Sequence, residues 1–307
     1  MNENGNRIGF AGTGKIGLPI CLRLRAAGHT VTILPSPRAR GVLADELAAA
    51  GCAVARTGAA LAARTDILIT CLPSSAEVET VLTGETGFFS GLSGRQGILH
   101  IDHTSGDPDI SRRLAGEWRA LGGAFVDAAI SGTPDLARSG TLKLLCGGTP
   151  ELLERMQAIS KAYASEVIPA GETGSGHMLR LIGGLMGYGM AMLSSEAFLL
   201  CAAAGIAPGR LKAMITGTGA DSRTFQAMSA AEIEGPNSAA RRKLSLATVA
   251  KDLDALTAQA RQLGCGIPVA ETIAGRVAQA AAQGGAEAAI SDLTLCLKAI
   301  PADAAQE

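Results

Sequence analysis

The chain has no Cys-x-x-Cys pair; its seven cysteines, Cys21, Cys52, Cys71, Cys146, Cys201, Cys265 and Cys296, are scattered, mostly inside apolar runs. This excludes a dithiol redox motif and leads us to expect reduced thiols in a cytoplasmic protein. Metal-ligand spacing is nearly absent too. His100-Ile101-Asp102-His103 is the one cluster, and on a strand His100 and His103 point to opposite faces, so no metal site is expected. A formal net charge of -1 gives no electrostatic reason to expect nucleic acid or an anionic membrane as partner. The N-terminus lacks a basic region followed by an uninterrupted apolar segment, so no signal peptide is expected. From Leu181 to Gly209 only Glu196 is charged, but serines and glycines interrupt the run, and it reads as a central helix of a soluble assembly.

What is present begins at Ile8, where an apolar strand runs straight into Gly12-Thr13-Gly14-Lys15-Ile16-Gly17. In a Gly-x-Gly-x-x-Gly turn the first glycine makes the tight turn, the second lets backbone N–H groups approach a pyrophosphate, and the third lets the next helix pack on the strand. The helix N-terminus adds donors and a positive dipole end. Leu18, Ile20, Leu22, Leu24 and Ala27 carry a helix that stops at Gly28, and a second apolar run follows at Val31 to Leu34. This context favours dinucleotide binding over a plain strand-helix turn.

A missing charge bears on which dinucleotide is bound. The acidic residue that holds the ribose hydroxyls of NAD stands about 20 residues after the turn, yet no Asp or Glu occurs between Glu3 and Asp45. The second strand ends instead in Leu34-Pro35-Ser36-Pro37-Arg38-Ala39-Arg40. A hydroxyl on Ser36 and guanidinium groups on Arg38 and Arg40 suit a 2′-phosphate, so NADP(H) is expected ahead of NAD. The alternative is that both arginines decorate a solvated helix turn.

At 307 residues the chain can hold two domains. Further short apolar strands are expected at 67–71, 98–102, 124–128, 142–146 and 167–168, with helices at 39–50, 76–82, 110–121 and 150–162. Strands alternating with helices mean a mostly parallel, doubly wound sheet. From Ser175 onward the pattern is Ala-rich and helical, punctuated by glycines and prolines. The expected architecture is α/β: an N-terminal Rossmann domain over 1–170, then an all-helical substrate and oligomerisation domain over 171–307.

These residues together resemble the β-hydroxyacid dehydrogenase family, the 3-hydroxyisobutyrate and 6-phosphogluconate dehydrogenase relatives, over at least 7–292. Asp127-Ala128-Ala129-Ile130-Ser131-Gly132-Thr133, with Gly140-Thr141-Leu142 and Gly147-Gly148 after it, is similar to the family's substrate segment. The resemblance gives Ser131, Gly132 and Thr133 the role of holding a substrate carboxylate. It gives Leu72, Pro73, Thr104 and Ser105 the lining of the nicotinamide half of the cofactor. Lys251-Asp252-Leu253 resembles an element whose lysine lies by cofactor and substrate. Homodimers or homotetramers are the implied assemblies.

The chain departs from the family at the centre of the chemistry. The family's catalytic helix opens Gly-x-Gly-x-x-x-Lys-x-x-Asn-Asn, whereas here Arg180 stands at the lysine and Gly183-Gly184 at the asparagines. A lysine can pass a proton, but a guanidinium stays charged and can only polarise a carbonyl or clamp a carboxylate. The two glycines leave room for a bulkier ligand beside Gly184, or for close helix packing. Tyr188, His177, Lys251 and His103 are candidate proton donors, His177, Arg180, Gly184 and Tyr188 sharing one helix stripe. The leading expectation is an NADP(H)-dependent oxidoreductase acting on C=O or C–OH of a small acidic substrate. Imine reduction and a non-catalytic NADP(H)-binding paralogue are the alternatives.

Overall fold

The computed structural model describes residues 5–35, 42–235, 237–241 and 244–300. Two compact units divide after Arg180, Met1–Arg180 and Leu181–Glu307.

The first unit alternates β1 (Arg7–Ala11), α1 (Gly17–Ala26), β2 (Thr30–Leu34), α2 (Val42–Ala49), β3 (Ala53–Val54), α3 (Gly58–Ala62), β4 (Ile67–Thr70), α4 (Ser75–Thr83), β5 (Leu99–Asp102), α5 (Pro108–Ala120), β6 (Ala124–Ser131), α6 (Pro134–Ser139), β7 (Leu142–Gly147), α7 (Pro150–Ser160) and β8 (Ala164–Gly171). The eight strands form one sheet in the order β3-β2-β1-β4-β5-β6-β7-β8. Neighbours are parallel except β6 and β7, where Asp127 faces Gly147 in antiparallel register. Alternation of side chains feeds two cores. Ile8, Phe10, Ile69, Ile101 and Val126 join one cluster, while Leu68 and Phe125 join Trp118 and Phe88 in the other. Central strands buried on both faces read as apolar runs, which is why β4 was legible; β5 alternates apolar Leu99 and Ile101 with buried His100 and Asp102. The strand order reverses at β1, which lies between β2 and β4. In an open α/β sheet such a point, at the carboxyl ends of the strands, is where ligands bind.

Several elements differ from expectation: β8 runs over Ala164–Gly171 rather than 167–168 alone, and β3, α3 and α6 were not expected. Helix α5 starts at Pro108 rather than 110, because Asp107 accepts the amide of Asp109 at 2.8 Å and proline is preorganised for the first helical position. Strand β6 runs on to Ser131 because β7 pairs with it through Lys143.

Helix α8 (Ser175–Ala203) leads into the second unit, whose further helices are α9 (Pro208–Ile215), α10 (Arg223–Glu234), α11 (Leu246–Gln262), α12 (Pro268–Gly284) and α13 (Leu293–Lys298). Ser222 and Ser245 cap α10 and α11 through their hydroxyls. Its core gathers Tyr188, Met192, Phe198, Phe225, Val249, Leu253, Val277 and Leu293. By length and composition α8 could cross a membrane, and 33% of its most apolar 18-residue window is buried inside the chain. Its exposed apolar residues Ile182, Met186, Leu193 and Leu200 recur at helical spacing.

Candidate active site

The turn after β1 carries its glycines for three different physical reasons. Gly12 has φ +104, and a Cβ there would overlap the carbonyl oxygen of Cys71 at the end of the neighbouring strand. A Cβ on Gly17 would overlap the carbonyl of Gly12. Gly14 is exposed, and a Cβ on it would meet nothing within 4 Å, so its cost in chain entropy secures approach to the backbone from outside. Helix α1 starts at Gly17, with Ile16 at its N-cap giving no side-chain hydrogen bond and no acidic residue in its first turn. Its leading amides therefore have no partner from a side-chain cap, and the Leu18 amide is held by the Gly14 carbonyl at 2.9 Å. These features fit a dinucleotide pyrophosphate, with Thr13 buried beneath and Lys15 exposed beside it. Ser36, Arg38 and Arg40 lie outside the described residues.

Next to this turn the loops after β4 and β5 are tied to each other by buried polar groups. Leu72 donates its amide to Thr104 Oγ1 at 3.2 Å, Thr104 donates its amide to Asp102 Oδ1 at 3.0 Å, and the Thr70 hydroxyl donates to the same oxygen at 2.7 Å. With the Thr70 hydrogen committed, His100 Nε2, 2.8 Å away, must donate to Thr70 Oγ1. Its Nδ1 is left without a partner. Burial alone would raise the Asp102 carboxyl, but the nearby His177 and His100 imidazoles and the hydrogen bonds from Thr104 and Thr70 outweigh it and hold the group below the usual carboxylate range. The result is a rigid strap under Leu72, Pro73, Thr104 and Ser105. Sequence reasoning gave Asp102 and Thr70 no role. An Asp two residues ahead of a Thr at a strand end is a side-chain-to-backbone turn signal that could have found the first.

His103 is corrected as a proton donor. Its Nδ1 lies 2.6 Å from the Ala128 carbonyl and its Nε2 2.8 Å from the Tyr163 hydroxyl, so both nitrogens are engaged. Burial pushes both His100 and His103 down to about 4. His100 packs on Trp118 and Phe125, and His103 on Tyr163.

The segment expected to hold substrate ends β6. Ser131, Gly132 and Thr133 are exposed, and Thr133 caps α6 by accepting the Leu136 amide at 3.4 Å. Earlier in the same strand Asp127 is fully buried and accepts the amides of Gly174 at 2.7 Å and His177 at 2.9 Å, at the start of α8. His177 Nδ1 lies 2.7 Å from Ser111 Oγ, whose hydrogen goes to the Asp107 carbonyl at 2.9 Å, so the imidazole donates there. Arg180 follows one turn later, half-buried; Gly183 is exposed with open space around it and Gly184 is buried.

In the second unit, Tyr188 is 3% exposed and donates its hydroxyl to Asp252 Oδ2 at 2.7 Å; Asp252 is 2% exposed. Lys251 Nζ stands 3.3 Å from Asp252 Oδ1, its side chain 36% exposed. The described structure thus couples Tyr188, Asp252 and Lys251, and separately couples Asp127, Gly174 and His177.

An open glycine cradle at the reversal point of a parallel sheet, with two strapped loops beside it, defines a nicotinamide-dinucleotide-binding oxidoreductase. Residues 7–171 match the profile of the NAD binding domain of 6-phosphogluconate dehydrogenase, and 174–297 that of the NAD-binding region of NADP-dependent 3-hydroxyisobutyrate dehydrogenase. The chain belongs to the β-hydroxyacid dehydrogenase family of NAD(P)-dependent enzymes. It is 28% identical over 295 residues, 95% of this chain and 97% of the relative, to 2-hydroxy-3-oxopropionate reductase of Escherichia coli (strain K12). It superposes with a TM-score of 0.84 at 25% identity on 3-hydroxyisobutyrate dehydrogenase of Mycobacterium tuberculosis, solved with L-serine, covering 96% of this chain and 100% of that one. An imine reductase from Myxococcus stipitatus shares the fold, with a TM-score of 0.63 at 21% identity over 95% of this chain and 99% of that one.

Proposed function

We propose that this protein is an NADPH-dependent reductase of a short aldehyde or keto acid, in which Arg180 serves as a fixed cation in place of the family's lysine. The observation that carries this reading is the Arg180 substitution at a helix start that otherwise keeps the family's Gly-x-Gly opening. A guanidinium cannot release its proton, but it can hold a carboxylate by two parallel hydrogen bonds and stabilise a developing alkoxide. Ser131, Gly132 and Thr133 hold the substrate's acid group, and Lys251 delivers the proton to the reduced oxygen. Bound NADPH supplies the hydride that its nicotinamide C4 transfers to the carbonyl carbon. Asp252 keeps the Lys251 amine oriented, and Tyr188 secures Asp252 from its other side. The relative named for 2-hydroxy-3-oxopropionate supports an aldehyde acid as substrate.

Preference for NADPH rests on the run without acid between Glu3 and Asp45 and on Ser36, Arg38 and Arg40. The match to a region described as NADP-dependent supports it. Imine reduction is disfavoured electrostatically, because an iminium brings its own positive charge to a site that already carries Arg180. Self-association is supported by Met186, 74% exposed, and Leu200, 72% exposed, on the apolar stripe of α8; gel filtration with light scattering tests for a dimer or tetramer. The free cysteines support residence in a reducing compartment, the cytoplasm.

The experiment is a panel of aldehyde acids, keto acids and cyclic imines scored by NADPH oxidation, with Arg180→Ala and Arg38→Ala alongside. Turnover on an aldehyde or keto acid that falls about 10²–10³-fold in Arg180→Ala is expected. Arg38→Ala is expected to erase the preference for NADPH over NADH. Activity on imines alone, or tight NADPH binding with silence on every substrate, overturns the assignment.

A further inference from the structure

We propose that Asp127 is a positioning residue for Arg180. It fixes the rotation of the helix that presents the guanidinium, and so sets turnover without touching substrate. The proposal rests on the catalytic part assigned to Arg180 above.

A fully buried carboxylate is costly unless its charge is met. Among the described residues no lysine, arginine or histidine pairs with Asp127; its oxygens are taken by two backbone amides, Oδ1 by Gly174 and Oδ2 by His177. Both amides belong to the opening of α8, a helix of 29 residues, where a negative charge is favoured by the unsatisfied N–H groups and the dipole. The cap comes from another element, forty-seven residues away for Gly174, so it fixes where the helix starts relative to the sheet as well as stabilising it.

Glycines make the seat for this carboxylate. A Cβ on Gly147 would overlap Asp127 Oδ1, and a Cβ on Gly176 would overlap the Leu145 carbonyl and lie 2.9 Å from Asp127 Oδ2. Gly174 has φ +92, a conformation that glycine adopts readily. The first turn of α8 is therefore locked between β6 and β7, with Gly174-x-Gly176 serving close backbone approach. His177, held by its amide to Asp127 and by its ring to Ser111, lies three residues before Arg180, so the two share a face one turn apart. At the outer radius of a helix, about 6 Å, a rotation of roughly 10° displaces a group by about 1 Å. A misplacement of that size can cost about 100-fold in rate. Nothing comparable would follow from fraying of an ordinary exposed cap.

The test is a double-mutant cycle on kcat/KM, using NADPH and 2-hydroxy-3-oxopropionate as the probe pair, with the panel's best aldehyde acid substituted if that is faster. Asp127→Asn keeps the volume but offers an amide hydrogen where one backbone N–H must bind. It is expected to lower kcat 10- to 100-fold while KM for NADPH changes less than twofold. In an Arg180→Ala background the same change is expected to cost less than twofold, because no guanidinium remains to be misplaced. Amide hydrogen exchange should rise across 174–180 and stay unchanged in β1 and β4. If Asp127→Asn does not fold, Gly176→Ala pushes the helix start off Leu145 and is expected to behave the same way in the cycle. Full multiplicative losses overturn the positioning role while leaving Arg180 in its own. A silent Arg180→Ala overturns the catalytic reading, and the positioning role falls with it.

Discussion

Tyr188 donates its phenolic hydrogen to Asp252 at 2.7 Å while Lys251 sits at ion-pair distance, 3.3 Å, from the other oxygen of that carboxylate. The phenol's proton is thus committed inside the helical core, and the amine is the group with solvent-exposed surface. Tyr188→Phe is expected to destabilise the protein by about 1–3 kcal/mol, since a buried carboxylate oxygen loses its donor. Its turnover should fall less than tenfold. Lys251→Ala should lose at least a hundredfold in kcat, because proton transfer from a positioned group is worth about 10²–10⁴, and should also lower the thermal midpoint, since Asp252 Oδ1 loses its ion pair. Thermal unfolding and steady-state kinetics on both variants check this; a hundredfold loss in Tyr188→Phe would make the phenol the acid.

Gly14 and Gly17 separate binding from folding. Open space surrounds a Cβ at Gly14, whereas one at Gly17 would strike the Gly12 carbonyl. Gly14→Val is expected to keep the wild-type thermal midpoint within a few degrees yet lose at least tenfold in NADPH affinity by titration calorimetry. Gly17→Val is expected to lose folded protein itself. Unchanged NADPH affinity in a folded Gly14→Val protein would place the pyrophosphate elsewhere.

The contrast between these glycines also marks how far sequence reading reached. The turn after β1 was legible because its requirement is local: a strand, three glycines at fixed spacing and a helix all lie within one stretch. The central strand β4 was legible because burial on both faces leaves an apolar run, Ile67–Thr70. Asp102 carries a local signal, the Thr104 amide two residues on, but its bond from the Thr70 hydroxyl depends on strand pairing, and Asp127 acts on amides whose proximity depends on helix placement. For Asp127 the partners are forty-seven and fifty residues distant. His103 looked like an acid because it stands beside loops expected to line the cofactor, and only the ring contacts to Ala128 and Tyr163 reveal a neutral structural imidazole.

Thr104 bridges the loops after β4 and β5 with opposite ends of one residue, its hydroxyl oxygen accepting from Leu72 and its amide donating to Asp102. Thr104→Val keeps the shape but leaves the Leu72 N–H without an acceptor, at a cost of about 1–3 kcal/mol. If the strapped loops line the proposed cofactor site, KM for NADPH is expected to rise about 5- to 50-fold with kcat reduced less. Thr104→Ser should restore most of the affinity. A KM unchanged in Thr104→Val would dissociate the strap from cofactor binding.

Acid should unfold this protein earlier than its surface charges alone would. The His100 and His103 imidazoles are buried and held at about 4 in the folded chain, against an ordinary value of 6.5. Between those two values the unfolded chain binds protons that the folded chain refuses, so stability falls as pH drops from above 6.5 toward 4. Each histidine contributes a slope approaching about 1.4 kcal/mol per pH unit in that window. The depressed Asp102 carboxyl acts in the same direction at still lower pH, as its hydrogen-bonded anion is lost. Urea unfolding from pH 7.5 to 4.5 should therefore give a midpoint that is steady above pH 7 and declines below 6.5. In His103→Gln, where an amide can still reach the Ala128 carbonyl but cannot titrate, about half of the decline should vanish. A midpoint that stays level down to pH 4.5 would mean that these imidazoles are solvated rather than buried against Trp118, Phe125 and Tyr163.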